Sequence, residues 1–198
     1  YKDLAAVVGA DAPLARMLSA RIAMSQQDYA KAAGDLQRVI SRVPDFAPAR
    51  FLLGAALLAQ GNLNLAEMHL TRALQRAPEN LEARKLLAQV RLRMDRPDAA
   101  MQVLMSAQSS GLEDPQLDIL IGLAHLPLGD ANQGIAQLER ALGADPENRA
   151  LRLDLAAAYA RAGDYAQAIA LLRKLPRLSG DLRREELLVA VQAAQGLS

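Results

Sequence analysis

The sequence predicts an all-α fold built from a repeated pair of helices, and three observations support this class. The tripeptide Pro-Glu-Asn occurs at 78–80 and again at 146–148, a separation of 68 residues, which is twice 34. Ala and Leu are abundant whereas β-branched residues are few, which favours helix. Small residues recur at fixed places in a 34-residue frame, as arrays of helix pairs require. We therefore expect an α-solenoid of about five 34-residue helix-turn-helix repeats plus a C-terminal capping helix.

Five consecutive frames align without an insertion, at 13–46, 47–80, 81–114, 115–148 and 149–182. Position 8 of the frame and position 20 are Ala or Gly in every copy, and small residues there let two helices approach closely. Position 24 is leucine in every copy, which we expect to fill the seam between the two helices. These leucines are Leu36, Leu70, Leu104, Leu138 and Leu172.

Each repeat is predicted to form two helices joined by a short turn. The first helices are expected near 14–26, 48–60, 81–93, 115–127 and 149–161, and the second near 29–42, 63–76, 97–109, 131–143 and 165–175. Gly-Asn or Gly-Asp at 61–62, 129–130 and 163–164 predicts a helix stop followed by the next N-cap. Proline at position 32 ends the second helix because it lacks an N–H group. Pro127 is expected to bend the last turn of its helix.

The flanks of the array are short. Residues 1–12 are interpreted as the remnant of a preceding repeat helix, and residues 183–198 as a capping helix. The first residues, "YKDLAAVVGADAP", contain no initiator Met and no signal-peptide layout. We therefore expect a fragment of a longer protein that lacks its native N-terminus.

Composition argues against several classes of function. The chain has no cysteine, so it offers no disulfide, thiolate metal site or cysteine nucleophile. Its net charge is +1, and it has four Tyr, two Phe and no Trp, so neither a basic field nor stacking rings for nucleic acid are present. No apolar run approaches the length of a membrane span. We therefore expect no cofactor, no metal, no nucleic-acid partner and no direct membrane span.

Candidate chemistry is equally sparse. His69 and His125 fall in different repeats without an acidic cluster at ligand spacing, and a packed role is favoured for His125. No glycine-rich phosphate loop or nucleophile elbow is present. The basic cluster "RKLLAQVRLRMDR" at 84–96 is interpreted first as a solvated helix edge, and second as a patch for an acidic partner. The sequence predicts no catalytic residues and no enzyme.

The frame resembles the tetratricopeptide repeat over residues 13–182. This resemblance implies a right-handed superhelix whose concave groove is lined by the first helix of each repeat and binds a protein or peptide segment. The family often has a large apolar residue at position 4, where this chain has Arg16, Arg50, Arg84, Arg152 and Asp118. By the geometry of the family, the groove residues are Met17, Leu18, Arg21, Met24, Phe51, Leu52, Ala55, Leu58, Lys85, Leu86, Gln89, Leu92, Arg93, Ile119, Leu120, Leu123, Leu126, Asp154, Ala157, Arg161, Arg184 and Leu188.

Three functions follow from this resemblance. The leading one is a non-catalytic scaffold that binds a partner segment in an apolar groove, although a tightly wound superhelix could fill that groove with its own side chains. The second is a structural array that self-associates. The third is a co-chaperone type of adaptor that clamps a C-terminal carboxylate. It is disfavoured because position 6 is never asparagine and Lys85 alone matches the clamp.

A narrower resemblance concerns the setting of the protein. The segments "PARFLLGAALLAQGNLNLAEMHLTRAL" and "DPENRALRLDLAAAYARAGDYAQAIALL" resemble the long tetratricopeptide lipoproteins of the bacterial exosortase/PEP-CTERM system, which are associated with polysaccharide production and protein sorting. This likeness implies the periplasm or cell envelope. Without it, the expected location is the cytoplasm.

Overall fold

The computed structural model describes residues 12–108, 114–176 and 182–196, and every regular element in these ranges is an α-helix. The predicted all-α solenoid class is confirmed. The helices are α1 (Pro13–Ser25), α2 (Tyr29–Arg42), α3 (Ala47–Ala59), α4 (Leu63–Arg76), α5 (Leu81–Arg93), α6 (Pro97–Gln108), α7 (Pro115–His125), α8 (Ala131–Ala144), α9 (Arg149–Arg161), α10 (Tyr165–Lys174) and α11 (Arg183–Ala194).

The chain forms two compact units, Tyr1–Arg96 and Pro97–Ser198. In the first unit, α1 packs on α2 and α3 on α4, while α2 also contacts α3 and α4 contacts α5. In the second unit, α6 packs on α7, α7 on α8, α9 on α10, and α11 on both α9 and α10. Each unit therefore buries its apolar surface by packing each helix mainly against its neighbours in the chain.

The seam inside a helix pair depends on a leucine lying over a small residue. All five position-24 leucines are fully buried. A Cβ atom placed on Gly54 would lie 2.6 Å from Leu70 Cγ, and one on Gly122 would lie 2.8 Å from Leu138 Cγ. The helices are therefore in contact at these points, and no side chain larger than hydrogen fits without a shift.

Turns between paired helices place position 15 in the left-handed region in all five repeats. Gly61, Gly129 and Gly163 have φ of 78°, 86° and 82°, and glycine adopts this conformation without steric cost. Gln27 and Asp95 occupy the same place with φ of 60° and 55°. The geometry is thus imposed by the repeat, even where the residue is not glycine.

The repeated Pro-Glu-Asn motif ends in a helix N-cap. The side chains of Asn80 and Asn148 accept hydrogen bonds of 3.0 Å from the backbone N–H groups of Ala83 and Leu151. These bonds satisfy donors that have no partner within the helix. The motif therefore recurs because each new repeat needs its first helix started at the same place.

Asn62, Asp130 and Asp164 occupy the predicted N-cap positions. Of these three, Asp164 accepts a capping hydrogen bond from the N–H group of Gln167, whereas the side chains of Asn62 and Asp130 accept none.

The predicted bend at Pro127 is wrong, because the helix does not continue to the proline. It ends at His125, and Asp130 N–H donates to the His125 carbonyl at 3.1 Å. The chain leaves the helix before proline would cost it a bond.

Some sequence predictions lie outside the described residues. These include nearly all of the expected helix remnant at 1–12, the ends of the repeats 81–114 and 149–182, and the last two residues of the segment 183–198.

We expect Gly122→Ala to destabilise the second unit by about 1–3 kcal/mol, because the new methyl group meets the fully buried Leu138. Gly143→Ala is the matched control, since its Cβ has nothing within 4 Å in the same pair of helices. Both changes gain helix propensity of about 1 kcal/mol, so the difference in unfolding free energy between the two variants reports the steric effect of the new methyl group at the seam. Urea unfolding measures this difference. Equal stability of the two variants would contradict the close contact of the helices at Gly122.

Candidate functional site: the first helices of the repeats

In the first unit, the predicted groove residues lie on α1, α3 and α5, and most are neither buried nor fully exposed. Arg21, Gln89 and Arg93 are exposed, whereas Leu58 is only 7% exposed. Because α3 also contacts α5, the partly exposed side chains of these two helices belong to one surface. This surface is apolar in its middle and polar at exposed positions.

In the second unit, the predicted groove residues are less accessible. Leu120 is 4% exposed and is therefore a core residue that offers little surface to a partner. Ile119, Leu123 and Leu126 are partly buried and pack against the core cluster that contains Leu138. Ala157 and Leu188 are also partly buried, and Arg161 is exposed.

Arg184 was expected to face the groove, but the structure buries it. Its side chain is held inside the second unit, where Nε donates to the Leu172 carbonyl at 2.8 Å and Nη1 lies 2.7 Å from Glu185 Oε1. Asp154, another predicted groove residue, forms an ion pair with Arg183. Both groups therefore hold α11 in place, because their charges are matched within the unit.

The basic cluster at 84–96 is mostly engaged in bonds within the first unit. Arg91 and Arg96 both donate to Glu67 on α4, at 3.0 and 2.7 Å. Lys85 pairs with Glu82 at 2.7 Å, and Arg93 donates to the Leu58 carbonyl at 3.4 Å. These contacts favour a structural role for the cluster over a general patch for acidic partners.

Two of the four arginines at position 4, Arg50 and Arg84, have a role that the sequence did not predict. Arg50 Nε donates to the Pro44 carbonyl at 2.7 Å, and Arg84 Nε donates to the Pro78 carbonyl at 2.8 Å. Each arginine thus satisfies a carbonyl in the turn between repeats, where no helix bond is available. The spacing Pro-x5-Arg at 44–50 and 78–84 is a signal for this bond, but it does not suffice, because the same spacing occurs at 146–152, where Arg152 donates to Glu147.

His69 lies beside Arg50 in this network. Arg50 Nη1 is 3.4 Å from His69 Nδ1, and a guanidinium has only donors, so Nδ1 must be the acceptor of a neutral ring. Burial, with smaller contributions from Arg50 and Arg72, lowers the pKa of His69 below its usual value. The folded protein therefore favours neutral imidazole here.

A hollow of about 420 Å³ in the second unit is lined by α8, α9 and α10, including Leu142, Leu155 and Leu171. At its edge the Tyr159 hydroxyl donates to Glu139, and this bond is the main cause that raises the pKa of Tyr159 to about 12. Such a phenol keeps its proton at neutral pH.

In the described ranges, no group of three or more His, Asp or Glu side chains could hold a metal ion.

Within those same ranges, no helix combines the length and the apolar character that crossing a bilayer requires.

Sequence profiles described as tetratricopeptide repeat match nearly the whole chain. One matches residues 57–124 and 126–188, and another matches residues 2–48 and 17–67. The protein therefore belongs to the tetratricopeptide repeat family, as the 34-residue frame predicted. No curated protein matches the sequence significantly.

Solved structures share the fold at low sequence identity. The MamA fragment 41-end from Desulfovibrio magneticus RS-1 has a TM-score of 0.73 and 18% identity, over 90% of this chain and 96% of that one. PilW, a widely conserved type IV pilus biogenesis factor, has a TM-score of 0.78 and 19% identity, over 94% of this chain and 87% of that one. YrrB, a TPR protein with an unusual peptide-binding site, has a TM-score of 0.70 and 15% identity, over 94% of this chain and 93% of that one. At this identity, the likeness shows the fold alone.

We expect acidification to weaken the fold partly through His69. The unfolded imidazole takes up a proton near pH 6.5, whereas the folded one resists protonation because its pKa is lowered. Stability from this group is therefore fully present above that pH and is lost as the pH falls towards the folded pKa.

The measurement is urea unfolding of the wild type and of His69→Gln, which keeps an acceptor for Arg50, at several pH values. The stability of the wild type relative to the variant should fall as the pH drops below about 6.5. A difference that stays constant, or grows on acidification, would show that His69 is not held neutral.

Proposed function

We propose that this chain is a non-catalytic scaffold that binds an apolar segment of a partner protein on the first helices of its repeats. Membership of the tetratricopeptide repeat family supports a role in protein interaction. The observation that carries the proposal is the set of partly exposed apolar residues on the contacting helices α3 and α5. These are Phe51, Leu52, Leu86 and Leu92.

Polar side chains at exposed positions in the first unit would set the orientation of the segment. Arg21 and Gln89 are exposed on α1 and α5, at position 9 of their repeats, where they could meet backbone groups of a bound chain. Arg93 is exposed as well, although its Nη1 already donates to the Leu58 carbonyl. An apolar centre with few polar groups at its margin is the usual composition of a peptide-binding surface.

The second unit would contribute less to binding. Its candidate surface is reduced to Ala157, Arg161 and Leu188, together with the outer parts of Ile119 and Leu123. We therefore place the main binding energy on α3 and α5.

We further propose that the scaffold works in a bacterial envelope system for polysaccharide production or protein sorting. This part rests on the resemblance of the repeats to the exosortase/PEP-CTERM lipoproteins. Fractionation of cells of the source bacterium that express the intact gene would test it, and recovery in the cytosol would overturn it.

The binding surface can be tested with Leu52→Glu. We expect peptides enriched from a random peptide library on the wild-type chain to lose at least tenfold in affinity for this variant. Burial of a leucine contributes roughly 1.5–3 kcal/mol, and a carboxylate there stays unpaired. Leu65→Glu is the matched control because Leu65 is 47% exposed on α4. Fluorescence anisotropy with one enriched peptide measures both.

A second variant covers the case in which Leu52→Glu unfolds, as circular dichroism would show. Gln89→Trp replaces an exposed residue of α5, so it should fold and block the same peptide. Leu120→Glu would not serve as a binding variant, because Leu120 is a core residue and its replacement would test stability. Failure of the library to yield any binder, or equal affinity for the wild type and Gln89→Trp, would contradict the proposal.

A further inference from the structure

We propose that a basic hollow in the first unit binds a phosphate group. The hollow has a volume of about 240 Å³ and is lined by the start of α3, the end of α4 and the turn before α3. The lining residues are Asp45, Arg50, Arg72, Gln75 and Arg76. None of them belongs to the peptide surface proposed above, so this inference does not depend on that function.

Two guanidinium groups of the hollow have no carboxylate partner. Arg50 is 5% exposed, and its hydrogen bonds go to a backbone carbonyl and to the neutral ring of His69. Arg72 is exposed and forms no hydrogen bond or ion pair with the described residues. The carboxylate of Asp45 already pairs with Arg76. Three arginines and one aspartate therefore leave the hollow with two positive charges in excess.

Two other repeats neutralise the charge at position 4 with a residue of their own second helix. In the first repeat, Arg16 lies 2.5 Å from Asp35 at position 23. In the fourth repeat the signs are reversed, and Asp118 lies 3.4 Å from Arg140 at position 26. In the second repeat, positions 23 and 26 are a histidine and an arginine. A bound anion would therefore supply the negative charge that the second repeat lacks.

The neighbouring histidine reports the positive charge of the hollow. After burial, the largest causes that lower the pKa of His69 are Arg50 and then Arg72. The two guanidinium groups therefore act on one place, and a nearly buried charge such as that of Arg50 is costly unless an anion compensates it.

The size of the charge favours phosphate over a carboxylate. A phosphate group carries about −1.5 to −2 charges at pH 7, which matches the excess, whereas a carboxylate carries only one. Arginine donates paired N–H groups to phosphate oxygens. Nη2 of Arg50 forms no hydrogen bond with the described residues, and the amide of Gln75 offers a further donor. Because Arg50 is held by its other bonds, one donor of the site is already in position.

The probe is inorganic phosphate, titrated into the full chain at pH 7 with the ionic strength held constant by sodium chloride. Backbone amide NMR signals around the hollow should shift saturably. Arg72→Gln should weaken binding roughly tenfold, because it removes a charged donor that has no other partner. Arg38→Gln is the matched control, since Arg38 is an exposed arginine at the same position 26 of the first repeat.

A second variant should act in the opposite direction. Asp45→Asn should strengthen phosphate binding severalfold, because it removes a negative charge from the hollow and releases Arg76. Glu79→Gln is the matched control, since Glu79 is exposed at the same position 33 of the next repeat and does not line the hollow. Asp45 and Arg72 are both exposed, so their variants should fold.

Two further ligands define the chemistry that is recognised. Acetate should bind severalfold more weakly than phosphate, because it carries one negative charge. Glycerol 3-phosphate distinguishes the source of the group: affinity equal to that of inorganic phosphate would assign the site to a terminal phosphate of a larger molecule, and weaker binding would assign it to the free ion.

Absence of saturable shifts, equal affinity of the wild type and Arg72→Gln, or acetate binding as tight as phosphate binding would overturn the proposal. So would an equal loss of affinity in Arg38→Gln, because the anion would then be attracted by surface charge in general.

Discussion

The close approach of two helices, with a leucine of one lying over the small residue of the other, is the constraint on which the rest of this structure depends. Where position 8 is glycine, the leucine at position 24 reaches within contact distance of the backbone, as Leu70 does at Gly54 and Leu138 does at Gly122. This geometry fixes the depth at which the second helix sits and therefore which residues of the first helix stay accessible. Because each pair also packs on the next, the same local solution is repeated along each unit.

Polar contacts stabilise the turns and the helix contacts in addition to the packing of the leucines. Arg50 and Arg84 donate to the carbonyls of Pro44 and Pro78 in the turns between repeats. Glu67 on α4 accepts hydrogen bonds from both Arg91 and Arg96. The basic residues at 84–96 therefore mostly bond backbone carbonyls and carboxylates of the chain itself. What remains for a partner on α3 and α5 is mainly apolar, so binding there should depend little on ionic strength.

Much of the fold could be predicted from the sequence, because a 34-residue period sets the register of every helix at once. The five leucines, the small residues opposite them and the turn glycines were all readable in this way. The candidate site was less predictable, since frame position tells which side of a helix a residue is on but not how deeply its neighbours bury it. Leu120 and Arg184 show this: both stand at groove positions, yet packing in the second unit encloses them. Likewise, Asn62 and Asp130 have N-cap chemistry, but a cap also requires a side-chain orientation that residue type alone does not determine.

Native-state hydrogen exchange of Leu70→Ala tests the central claim most directly. Removal of this fully buried side chain should cost about 2–5 kcal/mol. If the seam is a local unit of stability, protection should fall in α3 and α4, less in the adjoining α2 and α5, and not at all in α9, α10 and α11. A uniform loss of protection along the chain, or no loss in α3, would contradict the account.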